Sequence, residues 1–266
     1  METTIIVEKS VPFKKFYLVP LADFHIKAKG CDLDIIKAYV DWIKNNENAY
    51  TVFNGDLLNC ATKDSMPELF EDLISVDDAY DMLRDIVMPI KDKVLLVTRG
   101  GHEEAIYRKV GVDMMARLAN DLDVPYRPDG GMVEIKVDTK EKESKCSFFV
   151  YAVHGWGAAR TIGAKAKKTE DLALAVDADI YIVSHDHTQV VHRLNYLVPS
   201  SRRNKYGAKR LIPHRKILVN TGAFLRYEGY VSRKGYLPQD LGTPRILCEV
   251  KHEHSGVHYK DLHASI

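Results

Sequence analysis

The chain has 266 residues, of which 45% are hydrophobic and 28% charged, so there is enough apolar material for a sizeable core. Its formal net charge of +1 argues neither for nor against a polyanionic partner. No run approaches the roughly 20 apolar residues of a membrane helix, and Cys31, Cys60, Cys146 and Cys248 are too sparse for a disulfide framework.

The first seven residues show no basic region leading into a long apolar run, so a signal peptide is not expected and a cytoplasmic protein is. The first predicted strand covers residues 16–21 and is followed by Asp23 and His25. Side chains two apart in a strand share a face, so this pair would project together if the strand continued through His25. Ile35, Ile36, Tyr39, Val40 and Ile43 recur at helical spacing over residues 33–43, with Asp32 as the cap. A strand at 50–54 runs into Gly55 and Asp56, where glycine permits a tight turn that projects the carboxylate. Much of 67–87 reads as a helix with an acidic exposed side.

A strand at 94–98 leads to Gly100, Gly101, His102 and Glu103, and a single helix is predicted from about 103 to 122. Strands follow at 133–137 and 147–153, the latter ending at His154, and at 180–184, ending at His185 and His187. Residues 206–215 read as a loop and 217–220 as a strand; 235–238 read as a surface loop packed at the core's edge, before a last strand at 246–250. The apolar runs are nearly continuous rather than alternating, which suits strands covered on both faces. With no evident linker and the candidate ligands spread from Asp23 to His187, a single domain over 1–266 is expected.

Five of the eleven histidines thus fall at strand ends, beside two similarly placed aspartates. A lone histidine there is ordinarily a satisfied polar group, but a set of seven is hard to assign to chance. Parallel strand ends converge on one sheet edge, where α/β folds place their chemistry.

The set, in order, resembles the calcineurin-like metallophosphoesterase superfamily: Asp23-Phe24-His25, Gly55-Asp56-Leu57-Leu58-Asn59, Gly100-Gly101-His102-Glu103, His154, and Ser184-His185-Asp186-His187. The resemblance implies a four-layer αββα sandwich with a dinuclear site at one edge. It assigns Asp23, His25, His187 and a bridging Asp56 to one divalent metal, and Asp56, His154 and His185 to the other. Manganese is the favoured ion by resemblance, and zinc, iron or nickel also suit a mixed N/O site. His102 takes the place of the histidine that contacts the phosphate and protonates the leaving oxygen. The chain departs from the pattern at Ser184, a small change, and at Gly101, where an asparagine ligand of the second metal is expected.

For the substrate, Gly55–Ala61 lacks the Asp-Arg-Gly of phosphoprotein phosphatases, and phosphodiester bonds of a nucleic acid or nucleotide are the favoured target. From His187 to Tyr227 there is no acidic residue but there are nine basic ones, Arg193, Arg202, Arg203, Lys205, Lys209, Arg210, Arg215, Lys216 and Arg226. Interleaved with Tyr196 and Tyr206, they read either as a polyanion groove at the site's rim, with Arg202 and Arg203 as substrate contacts, or as a solvated loop balanced by the acidic region 68–85. The alternative function is a catalytically weakened phosphate- or nucleotide-binding protein, on account of Gly101.

Overall fold

The computed structural model describes residues 5–61, 74–138, 146–157, 159–200, 203, 206–228, 230–233, 235–252 and 258–266. Two sheets stack face to face. One has the order β11-β10-β2-β3-β4, from β2 (Lys15–Leu21), β3 (Ala49–Asn54), β4 (Val94–Thr98), β10 (Arg245–His252) and β11 (His258–Ser265). The other has the order β1-β5-β6-β7-β9-β8, from β1 (Val7–Val11), β5 (Gly131–Val137), β6 (Cys146–Val153), β7 (Ile180–Val183), β8 (Val190–Pro199) and β9 (Leu211–Asn220). Strands β2, β3 and β4 run parallel in the first sheet, and β6, β7 and β9 in the second.

The period-two geometry of a strand explains the layers. In β2, Phe16 and Leu18 enter the core between the sheets, against Val52, Leu96, Phe148, Val150 and Ile182. Val19 and Leu21 face the opposite way, into a core made with helices α1 (Leu33–Asn45), α2 (Val76–Val87) and α4 (Met114–Leu122) through Ile36, Val40, Tyr80, Met115 and Leu118. On the outer face of the second sheet, Tyr181 and Leu218 pack with Ala173 of α5 (Ile162–Ala175). Helices, sheet, sheet and helix form the four layers expected.

Several sequence-based boundaries shift. The helix expected over 103–122 is two, α3 (Gly101–Val110) and α4, because Gly111 turns left-handed at φ 73° and Asp113 caps a new start. Helix α2 begins after its Ser75 cap, and the earlier part of the helix expected over 67–87 falls on 67–73, outside the described residues. The loop expected over 206–215 ends at Leu211, where β9 begins; Pro213 is tolerated because β9 pairs with β7 only from Ile217, leaving β8 and the start of β9 as a ribbon. Strands β1, β8 and β11 and helices α5 and α6 (Tyr230–Arg233) were not anticipated. In α5 the buried face carries Lys165, Lys168 and Thr169, so it has no apolar stripe to read.

Asp179, just before β7, ties the second sheet to the first. It is 2% exposed and accepts from the Phe149 amide at 2.8 Å, the His214 ring at 3.0 Å and Lys260 Nζ at 2.7 Å. Burial opposes its ionisation, but His214 and Lys260 outweigh that and hold the carboxyl below its ordinary range. A depressed carboxylate stabilises the fold at neutral pH, and that contribution disappears as pH falls through the folded-state value. Asp179→Asn is expected to cost about 3 kcal/mol at neutral pH, read from the urea midpoint. The gap to the unsubstituted protein should narrow in acid; a gap constant with pH would refute the ionic role.

Candidate metal centre

The carboxyl ends of five parallel strands meet at one edge. Asp23 follows β2, Asp56 follows β3, His102 follows β4, His154 follows β6, and His185 and His187 follow β7. Asn54, fully buried at the end of β3, joins the two sheets there. Its amide nitrogen donates to Val153 O at 2.8 Å and to Ser184 Oγ at 2.7 Å, and its side-chain oxygen accepts from the Thr98 hydroxyl at 3.1 Å. Its backbone oxygen accepts from His154 Nδ1 at 2.7 Å, which leaves Nε2 aimed at Asp56, 3.2 Å from Oδ2. Ser184, a departure from the expected glycine, thereby acquires a partner.

The route by which the ligands converge differs from the strand-face argument. Strands β2 and β7 end at Leu21 and Val183, before the histidines. Asp23, His25, Asp56, His185 and His187 all lie in left-handed backbone, at φ 53°, 48°, 52°, 72° and 52°. Each such non-glycine residue costs about 1 kcal/mol or more and persists only where its surroundings enforce it. Here the loops are laced together: Asp23 N donates to Gly55 O, His25 N to Asp56 O and Ile26 N to Leu57 O, all at 3.0–3.1 Å. The Asp23 carboxylate also accepts from the His185 amide at 3.1 Å.

Two glycines are required by this lacing. A Cβ on Gly100 would lie 2.2 Å from both Asp56 N and Oδ1, and one on Gly55 would lie 2.5 Å from Gly100 N. Gly101 is different, because a Cβ there would meet nothing within 4 Å. The position therefore has room for a Cβ, unlike Gly55 and Gly100.

Three overlapping groups place ligand atoms within 4.8 Å of one another: Asp23, His25 and His187; Asp56, His154 and His185; and His25, Asp56 and His102. His187 Nε2 is 3.3 Å from Asp23 Oδ1 and 3.2 Å from His25 Nε2, so the three ligand atoms converge on one point. Asp23 Oδ1 and His154 Nε2 are buried with charged or imidazole neighbours at 3.2–3.3 Å but without a well-aligned hydrogen bond. Unpaired buried acceptors and charges are costly, and a divalent cation would satisfy both atoms. A mixed carboxylate–imidazole donor set is also chemically suited to one. The residues present fit the group.

Electrostatics point the same way. Burial works against ionised Asp23 and Asp56, yet the surrounding imidazoles outweigh it and hold both carboxyls well below their usual range. Burial pulls His154 toward neutrality, but the Asp56 charge raises it to about 10; burial and the neighbouring His102 lower His25 to about 4. The cluster demands positive charge, which a proton on His154 supplies in the metal-free chain and which metal binding would replace.

Supporting residues fall into two sets. Glu103 is fully buried and accepts from the amides of Asp56 at 2.9 Å, Leu58 at 3.0 Å and Gly100 at 3.0 Å, fixing the Asp56 loop. Lys168 pairs with Asp186 at 2.7 Å and Lys165 donates to Asp186 O at 3.0 Å, holding the loop that carries His185 and His187. Tyr236 stacks on His187, with ring centroids 4.7 Å apart and planes 12° from parallel. Sequence reading left Tyr236 without a role; an aromatic between Gly235 and Leu237 gives no signal of a partner some fifty positions earlier in the chain.

Among the described residues of the basic segment, several side chains have partners of their own. Arg193 bonds His263 at 2.9 Å, Arg215 bonds Asp261 at 3.3 Å, buried Lys216 bonds Asp177 at 2.6 Å and Arg226 bonds Asp32 at 2.8 Å. Arg202 and Lys205 lie outside the described residues. Arg203 donates to Gly207 O at 2.6 Å in the β8–β9 turn. Strand β8 leaves the site just after His187 and runs ten residues to that turn, roughly 30 Å at strand rise. Arg203 is not brought to the metal cluster.

No protein-family model and no curated protein matches the sequence. Similar solved structures include Vps29 from Chaetomium thermophilum at 12% identity, covering 94% of this chain and 95% of that one, with a TM-score of 0.42. A metallophosphoesterase from Sphaerobacter thermophilus is 13% identical over 94% of this chain and 87% of that one, with a TM-score of 0.40. Vps29 from Entamoeba histolytica, complexed with zinc, is 12% identical over 94% and 99% of the two chains, with a TM-score of 0.35. The chain itself has a mixed α/β fold of two stacked sheets flanked by helices. No helix among the described residues is long and apolar enough to cross a membrane.

Proposed function

We propose that this protein is a metal-dependent phosphoesterase acting on phosphodiester bonds, with a nucleic acid or nucleotide as the favoured substrate class. The observation that carries the reading is the convergence of Asp23, His25, Asp56, His154, His185 and His187 from two sheets onto one edge, with His102 beside them. Asp23, His25 and His187 would hold one divalent ion and Asp56, His154 and His185 a second, with Asp56 between the two groups. Two cations held there would supply charge to neutralise phosphoryl oxygens and would lower the pKa of water enough to make it a nucleophile at neutral pH. His102 contacts the phosphate and gives a proton to the departing oxygen. Glu103 keeps the Asp56 loop in place, and Asn54 keeps His154 turned toward Asp56.

The test is hydrolysis of bis-p-nitrophenyl phosphate as Mn²⁺ is titrated into the metal-free protein, with Asp56→Ala as the blank. Turnover that rises with the metal and vanishes on chelation supports the reading. Activity equal to the blank with Mn²⁺, Zn²⁺, Fe²⁺ and Ni²⁺ alike would shift the balance to a phosphate-binding protein.

That second reading rests on Gly101, which gives the second metal no side-chain ligand. Gly101→Asn discriminates the two readings. The open space around the position predicts an unstrained substitution with stability near that of the parent. Restoring a ligand is expected to tighten Mn²⁺ activation by about 10–100-fold, by analogy with changes around other metal sites. An unchanged metal titration would mean that the site is adapted to glycine.

A further inference from the structure

A pocket of about 140 Å³ lies beside the metal cluster, lined by Gly157, Ala159, Arg160, Lys165, Tyr236 and Leu237, with Asp186 and Gly235 completing it. Its walls are attached to the candidate ligands. The Gly157 carbonyl accepts from His185 Nε2 at 2.7 Å, Asp186 sits between His185 and His187 in the chain, and Tyr236 is the ring stacked on His187. Leu237, in its wall, keeps a large apolar side chain in solvent, at 65% exposed. An apolar wall with a few convergent polar groups marks a ligand pocket.

We propose that this pocket is the subsite for a flat aromatic substituent on the ester, an aryl group or a nucleobase, packed against Tyr236 and Leu237 while the phosphate lies at the metal cluster. The proposal rests on the phosphoesterase reading and adds its specificity. The volume suits a single ring, since a cavity of about 150 Å³ in another protein holds benzene. The lining suits an aromatic heterocycle better than an alkyl chain, because Tyr236 offers a ring face or edge and Arg160 a planar guanidinium. Lys165 is committed to Asp186 O and the Thr188 hydroxyl, so it shapes the pocket's floor.

The experiment compares two diesters with the same leaving group, the p-nitrophenyl ester of thymidine 5′-monophosphate and methyl p-nitrophenyl phosphate, in the Mn²⁺-loaded protein. The nucleoside ester is expected to show a kcat/KM roughly ten-fold higher or more, the scale of one stacked base. Ala159→Trp, which fills the pocket, and Leu237→Asp, at an exposed position that leaves the core untouched, should each shrink that ratio toward one. No preference in the parent, or equal losses on both esters, would overturn the subsite. If neither ester is hydrolysed, the phosphoesterase reading fails by itself, and the subsite is judged by binding. Shifts of the Gly157 and Leu237 amide resonances with the nucleoside ester but not with the methyl ester would sustain it, and their absence would overturn it.

Discussion

His102→Ala is expected to lower kcat for Mn²⁺-dependent phosphodiester hydrolysis by about 10²–10⁴-fold, the range supplied by a positioned general acid. His102 stands at the second position of α3, half-buried, with its amide donating to Asp56 Oδ1 at 2.8 Å and its ring edge-on to His25 at 4.5 Å. That amide bond points the start of the helix at the cluster, so the side chain is delivered by the same backbone that anchors Asp56. Its ring nitrogen lies within reach of both Asp56 and His25, close enough for either of two roles. Metal titration separates them. A proton donor should leave the Mn²⁺ activation constant near that of the parent while kcat falls, whereas a ligand should weaken both. The leaving group gives a second discriminator. A nitrophenolate departs with little need of a proton and an alkoxide does not, so the loss should be larger for an alkyl diester. A uniform loss across leaving groups would remove His102 from proton transfer and leave it a phosphate contact.

The sequence made the candidate residues legible more readily than it made their geometry legible. Asp23 and His25 stood out because they followed an apolar run, yet the strand-face rule that paired them does not operate. Leu21 ends the strand, and the pair converges through left-handed turns bonded to the Asp56 loop. Left-handed backbone at a non-glycine residue is imposed by long-range contacts, so no local pattern could reveal it. The four layers were readable because β2, β3, β4 and β7 are apolar on both faces. Helix α5 was not, because its buried face is built from lysines and a threonine turned toward Asp186 and Asn220. The basic segment is hard to read for a related reason. Charge counted along the chain says nothing of partners, and Asp261, Asp177 and Asp32 lie at distances in sequence that no window spans.

Glu103→Ala is the substitution that should couple stability to metal binding most tightly. The Glu103 carboxylate accepts from the amides of both Asp56 and Leu58, and it caps the Gly100 amide as well. Burial, reinforced by the Asp56 charge, raises this carboxyl to about 7 in the metal-free chain, opposing the three amides that favour its ionised form. A group kept under such tension is held for position rather than for net stabilisation. Truncation would strand three buried N–H donors at about 1–3 kcal/mol each, partly relieved by water entering the gap, for an expected loss of about 3–5 kcal/mol. The Asp56 loop would relax with it. Mn²⁺ affinity should therefore fall together with stability, and turnover should drop at least about 10²-fold through misplacement of the reacting groups. Glu103→Gln sharpens the test, because its amide carries one acceptor oxygen and turns an N–H toward another N–H. It should lie nearer to Ala than to Glu in both the denaturation midpoint and the Mn²⁺ titration. Wild-type metal affinity in a destabilised Glu103→Ala protein would show that Asp56 is held by the loop lacing alone.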